Sequence, residues 1–302
     1  MSQVLTALAR YAETQPEHPA LRGSRQSMDY AGLHQAVTSL ATELKQHDIQ
    51  VLGVMMDNGP AWVVADLAAI HAGITLIPVP HFFSPQQVAH LLGQSGMQGL
   101  LTDRPEAVRE LLSAIEVPVR QQLAVQADDI SLLLLDTGQA PSIPTEIAKV
   151  TFTSGSTGEP KGACLSQPVM ESVAASLAAA TQAHADDMHL SVLPYATLLE
   201  NIGGVYAPLL AGACVCARPL VDIGLKGAAA LDVRQFVTAL HEAGATTCIL
   251  IPQMLHALVS ALEAGMPRPE QLRYIAVGGA PVSKHLLARA EALGLPLYEG
   301  YG

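Results

Sequence analysis

The sequence predicts an α/β protein: two packed, mostly parallel sheets covered by helices. Helical and strand-like segments alternate nearly throughout its 302 residues. Half of the residues are hydrophobic, enough for a chain of this length to bury a real core. Gly, Pro and Ser punctuate the segments where helices should start and stop.

The first half shows the alternation clearly. Leu5, Leu8 and Ala12 recur at helical spacing, as do Leu33, Val37, Leu40 and Leu44. "QVLGVMM" then reads as a buried strand, Gly59-Pro60 opens a helix that Gly73 closes, and "ITLIPV" is the next strand. Ser84-Pro85 is a helix cap followed by proline at the first helical position, and "GLLTD" is a short strand beyond that helix. "LLLLD" and "KVTFT" read as strands on either side of a Pro-rich loop, Gly138 to Pro144.

After "KVTFT" come an Ala-rich helix from about Val169, a strand "HLSVLP", a helix ending near Gly212 and a strand "ACVCA". The last third continues as helix "VRQFVTALHEAG", strand "TTCILI", helix "PQMLHALVSALEAG", strand "LRYIAVGG", helix "KHLLARAEALG" and strand "LPLYEG". Such alternation implies right-handed crossovers and helices on both sheet faces. The seam is expected near Leu165 to Val169, giving subdomains 1–166 and 167–302.

Composition narrows the function. A net charge of -11 with only 16 Lys plus Arg argues against non-specific nucleic-acid binding, which needs a basic face. The N-terminus lacks the pattern of an export signal, and the apolar stretch Ala61 to Phe83 is broken by Asp66, Gly73 and prolines, so it is not a membrane span. Cysteines 164, 214, 216 and 248 have no C-x-x-C spacing; Cys214 and Cys216 read as small apolar residues on one face of a strand, and reduced cysteines fit a cytoplasmic protein. Zinc-hydrolase histidine spacings and the G-x-S-x-G elbow are both absent.

One stretch carries chemistry. Thr153-Ser-Gly-Ser-Thr-Gly-Glu-Pro-Lys-Gly162 follows a strand, and its glycines let backbone N–H groups approach an anion while hydroxyls add donors. It is not a Walker loop, because Lys161 lies between Pro160 and Gly162, and no G-x-G-x-x-G follows any strand.

The ten-residue run resembles the phosphate-binding signature of the adenylate-forming family: acyl-CoA synthetases, aryl-CoA ligases, luciferases and peptide-synthetase adenylation domains. The resemblance extends through "VMMDNGPAWVVADLAAIHAGITLIPV", "VGGAPV" and "YEGYG". It implies the fold of the N-terminal part of these enzymes. It also implies that Thr153, Ser154, Gly155, Ser156, Thr157, Gly158 and Lys161 hold the phosphates of ATP. By the same resemblance, Gly278, Gly279, Ala280 and Pro281 with Glu299, Gly300 and Tyr301 are expected to border the adenine, Tyr301 by stacking, and Tyr195, Thr197 and Gly278 to fall at the acid substrate.

In "LPYATLLENIGGVYAPLLAGA" a threonine, Thr197, stands where long-chain relatives have histidine, while Glu200 matches their glutamate. Two readings of Glu200 stay open: a Mg²⁺ and phosphate contact, or a carboxylate favoured at a helix N-terminus. The "FD" pair of amino-acid-activating relatives is absent, so a carboxylic acid without an amino group is expected. With Glu200 and "EGYG" the resemblance is to acyl-CoA synthetases of the longer-chain type, and the implied reaction joins a fatty acid to AMP and passes it to coenzyme A, with an acyl-carrier thiol as the alternative acceptor. Aryl-acid activation and a silent nucleotide-binding scaffold are the alternatives. The family continues beyond "YEGYG" with further catalytic segments, so the 302 residues alone are expected to be inactive and to offer an uncovered apolar face for homodimer formation.

Overall fold

The segments with strong periodicity fold as their patterns predict in the computed structural model, which describes residues 2–125, 130–153, 161–226 and 230–300. The helix Tyr30–Leu44 buries Leu33, Val37, Leu40 and Leu44, and Asp29 caps it by accepting from the Gly32 amide at 2.7 Å. Each such leucine contributes about 1.5–3 kcal/mol on burial. Pro60–Ala72 is apolar on all sides and buried from Trp62 to Ile70, and it stops at Gly73 with φ +74°, a conformation that suits glycine. Ser84 and Gln87 form a reciprocal capping box at the start of Pro85–Ser95.

Two seven-stranded sheets organise the core. In the first, the strand order is Val119–Ala124, Ser131–Leu135, Gly99–Thr102, Val51–Met55, Thr75–Pro78, Ile147–Thr153 and Lys161–Ser166. Its centre is parallel, and antiparallel strands close both edges. The second runs Leu297–Glu299, Tyr274–Val277, Thr247–Leu250, Met188–Leu190, Cys214–Cys216, Pro19–Arg22 and Ser27–Asp29. It is parallel except for its last pair.

Two features differ from the sequence expectation. The hairpin Pro19–Asp29 joins the second sheet, so sheet membership does not divide the chain at 166. Lys161–Ser166 is a strand rather than the end of a loop, and it pairs antiparallel with Ile147–Thr153, placing Thr153 opposite Lys161. The signature residues 154–160, between these two strands, lie outside the described residues.

The N-terminal helix Gln3–Thr14 is held by Glu171 from the helix Gln167–Ala180. This buried carboxylate accepts from the Ser2 hydroxyl and the Gln3 and Val4 amides. A negative charge there satisfies N–H groups that no helical carbonyl reaches. Among the described residues no helix is long and apolar enough to cross a membrane.

Candidate active site

Parallel strands gather chemistry at their carboxyl ends. In the second sheet, Tyr274–Val277 and Leu297–Glu299 end side by side, and the Gly300 amide donates to the Val277 carbonyl at 2.8 Å. Gly278 is tied to the Leu250 carbonyl, and Gly279 turns the chain away at φ +84°. Ala280, Pro281 and Glu299 are exposed beside this turn, and the Val282 amide leans on the Glu299 carboxylate. These features fit a flat ligand laid across the strand ends, with Gly278 and Gly300 letting it approach the backbone.

A cavity of about 100 Å³ ends at the same two glycines. Leu177, Leu199, Gly203, Ala207, Ile249 and Ala276 give it apolar walls. Thr181 and Tyr274 also line it, and three further polar members, Asp187, His189 and Thr247, are bonded within the protein. His189 Nε2 lies 3.0 Å from Glu200 Oε1 and Nδ1 lies 3.0 Å from the Thr247 hydroxyl. The carboxylate partner places the proton on Nε2, and Nδ1 accepts from Thr247. Asp187 is gripped by Arg273 through two nitrogens, with the Thr246 hydroxyl at 2.8 Å and the His184 amide at 3.0 Å. Burial pushes the Asp187 carboxyl up, but these partners together outweigh it and hold the group below its ordinary range.

On the opposite side of the helical segment 198–211 lies a buried charge cluster. Lys149, in the strand that leads to the signature, faces Asp66 of Pro60–Ala72 at 2.7 Å. Lys149 Nζ also donates to Asn201 Oδ1 and to Tyr206 Oη at 3.1 Å. Asn201 and Tyr206 in turn donate to Asp66 Oδ2 at 2.8 and 2.9 Å. Asp66 Oδ1 meets the ammonium by charge alone, outside hydrogen-bond geometry. Burial pulls the Lys149 ammonium below its usual value, with Asp66 opposing, and it drives the Tyr206 phenol well upward.

The residues expected at the site are distributed as follows. Lys161 is exposed at the base of the hairpin and Thr153 stands opposite it in register. Ser154, Gly155, Ser156, Thr157, Gly158 and Tyr301 lie outside the described residues. Gly278 lines the cavity, whereas Tyr195 is buried against Trp62 with ring centroids 5.1 Å apart, its hydroxyl donating to Ser191. Thr197 is exposed and borders the cavity nowhere, and the neighbouring Leu199 takes the place in the wall.

Glu200 is fully buried. One of its oxygens faces His189 and the other accepts from the Leu193 amide at 3.0 Å, so both are engaged within the protein. Among the described residues no group of three or more His, Cys, Asp or Glu could hold a metal ion.

Sequence reasoning passed over His189, Thr247 and the Lys149 cluster. Only the last left a signal: a lone lysine in the strand "IAKVTF" and a lone aspartate in "WVVADLAAI".

Bacitracin synthase 3 of Bacillus licheniformis is 23% identical over 292 residues, covering 93% of this chain and 4% of that protein. Long-chain-fatty-acid–CoA ligase 1 of Cavia porcellus is 22% identical over 324 residues, covering 84% of this chain and 45% of the ligase. The chain thus spans less than half the length of either relative. The crystal structure of the N-terminal domain of FACL13 from Mycobacterium tuberculosis superposes with a TM-score of 0.76 at 19% identity, over 100% of this chain and 76% of that one. This is the fold of the N-terminal part of adenylate-forming enzymes. The family model for AMP-binding enzymes matches residues 8–302, and the chain belongs to that family.

Proposed function

We propose that the protein activates a compact, apolar carboxylic acid with ATP, forming an acyl-adenylate that is then passed to a thiol such as coenzyme A. The observation that carries this reading is the cavity of about 100 Å³, whose walls are largely apolar and include Gly278 and Gly300 at the strand ends. An engineered cavity of about 150 Å³ takes benzene. A long alkyl chain therefore exceeds the space unless its walls part, and the reading narrows from fatty acids in general to short branched acyl or small aryl acids. Asp187, the one carboxylate among the described wall residues, is already paired with Arg273, so among the described residues no free counter-charge faces an α-ammonium group.

A free carboxylate repels nucleophiles and has oxide as its leaving group. AMP supplies a leaving group that removes both obstacles. The carboxylate must first approach a phosphate of like charge, and the chain answers with the cation of Lys161 and with hydroxyl donors at Thr153, Ser154, Ser156 and Thr157. The cavity orients the acid by its apolar end and leaves the carboxylate at the strand ends.

Acid-dependent ATP–pyrophosphate exchange in the full protein tests the reading. Butyrate-sized branched acids and benzoates should support exchange, and α-amino acids should not. Lys161→Ala with Thr153→Ala should slow exchange about 10²-fold, or ~3 kcal/mol of charge stabilisation. An α-amino acid as best substrate, or unchanged exchange in the double variant, overturns it.

A further inference from the structure

The helix that walls the cavity changes pitch in its middle. Leu198–Glu200 and Ala207–Ala211 are α-helical, whereas Asn201–Tyr206 is a π turn, marked by the Ala207 amide bonding to the Ile202 carbonyl five residues back. π turns are rare and need a cause. One is local: Pro208 has no N–H, and in a regular helix its ring would meet the Gly204 carbonyl.

The other cause is tertiary. Asn201 and Tyr206 both bond to Lys149 and Asp66. In an α-helix of 3.6 residues per turn, side chains five positions apart point about 140° away from each other. Both can reach one buried charge pair only if the helix is underwound between them. Gly203 and Ala207 of the same segment line the cavity. A Cβ added at Gly203 would come 2.9 Å from Ile249, and one at Gly204 would be 2.6 Å from His189 Nε2 and run into Glu200. The segment therefore has little freedom to rotate without changing the wall.

A buried ion pair is no better for stability than well-packed apolar residues of the same volume, so its presence calls for another reason. We infer that Lys149 and Asp66 are positioning residues for acid selection: by locking Asn201 and Tyr206 they fix the π register, and through it the shape that Gly203 and Ala207 give the cavity. Neither side chain lines the cavity itself. The inference rests on the reading of that cavity as the acid site.

The test is Asp66→Leu with Lys149→Met, which removes both charges and leaves neither stranded, compared with Pro208→Ala. In the full protein, thermal melting, exchange over a series of acids of stepwise size and a crystal structure are measured for each. The expected result is a melting temperature within a few degrees of the unmodified protein, an unchanged KM for ATP, and a shift of 10-fold or more in the kcat/KM ratio between the smallest and largest acids. The Ala207 amide should then bond four residues back. Retention of the π turn with unchanged acid preference overturns the inference and leaves Pro208 as the sole cause.

Should the unmodified protein exchange with no acid, the proposed function falls, and the register of the double variant still decides whether the pair sets the turn. Should the double variant fail to fold, Asn201→Leu and Tyr206→Phe, which each remove one tether, are read the same way.

Discussion

Asp66 and Asp187 are both buried carboxylates bound to a cation, yet the balance of forces differs between them. Asp66 is 0% exposed and its partner Lys149 1%, so every group that answers the charge is inside the protein. Asp187 is 3% exposed, but Arg273 keeps 30% of its side chain in solvent. At Asp187 the partners overcome burial and the carboxyl stays below its ordinary range, while at Lys149 burial wins although Asp66 touches the ammonium. Hydration of one partner decides whether an ion pair stabilises the fold or only constrains it.

The largest effect should follow from breaking the inner pair on one side. Lys149→Met alone strands Asp66 in an apolar interior and should cost about 3–5 kcal/mol in urea unfolding. A cost near zero would mean that the interior admits water at this point.

Arg273→Leu should cost less, about 1.5–3 kcal/mol for hydrogen bonds to a charged group. This loss should depend on pH. The folded Asp187 carboxyl titrates below its unfolded value of about 3.9, so the stabilisation is present above that pH and fades as pH falls through the folded value. The gap between the unmodified protein and Arg273→Leu should therefore narrow on acidification. A part due to the Thr181 and Gln182 carbonyls, which Arg273 also reaches, should remain. A gap that stays constant down to pH 2 would contradict the assignment to Asp187.

Smallest of all should be Arg289→Ala, which removes a pair with Glu263 on the surface. Its melting temperature should not move measurably. A shift matching that of Arg273→Leu would show that exposure does not grade these pairs.

What the sequence made legible follows the same division between local and tertiary causes. Helices with a full stripe and a cap, such as Tyr30–Leu44 and Pro85–Ser95, were readable because each residue's neighbours in sequence are also its partners. The strand Lys161–Ser166 was not, since an edge strand exposed along most of its length shows no alternation. The signature was visible in the sequence as a motif, but the cavity draws its walls from separate segments, and only the fold brings Leu177, Gly203 and Ile249 together. The π turn was half visible: Pro208 marks it locally, while its other support, Lys149, lies 52 residues before Asn201.

The pairing of Thr153 with Lys161 also limits how this hairpin can change. Side chains alternate between sheet faces, so a slip of one residue would carry Lys161 to the opposite face and take Lys149, in the partner strand, out of reach of Asp66 if that strand moved instead. The inner lysine works as a pawl and the outer one as the tooth it keeps in place. Only a shift of the inner strand Ile147–Thr153 would strand a charge, because Lys149 is buried against Asp66 while Lys161 is exposed.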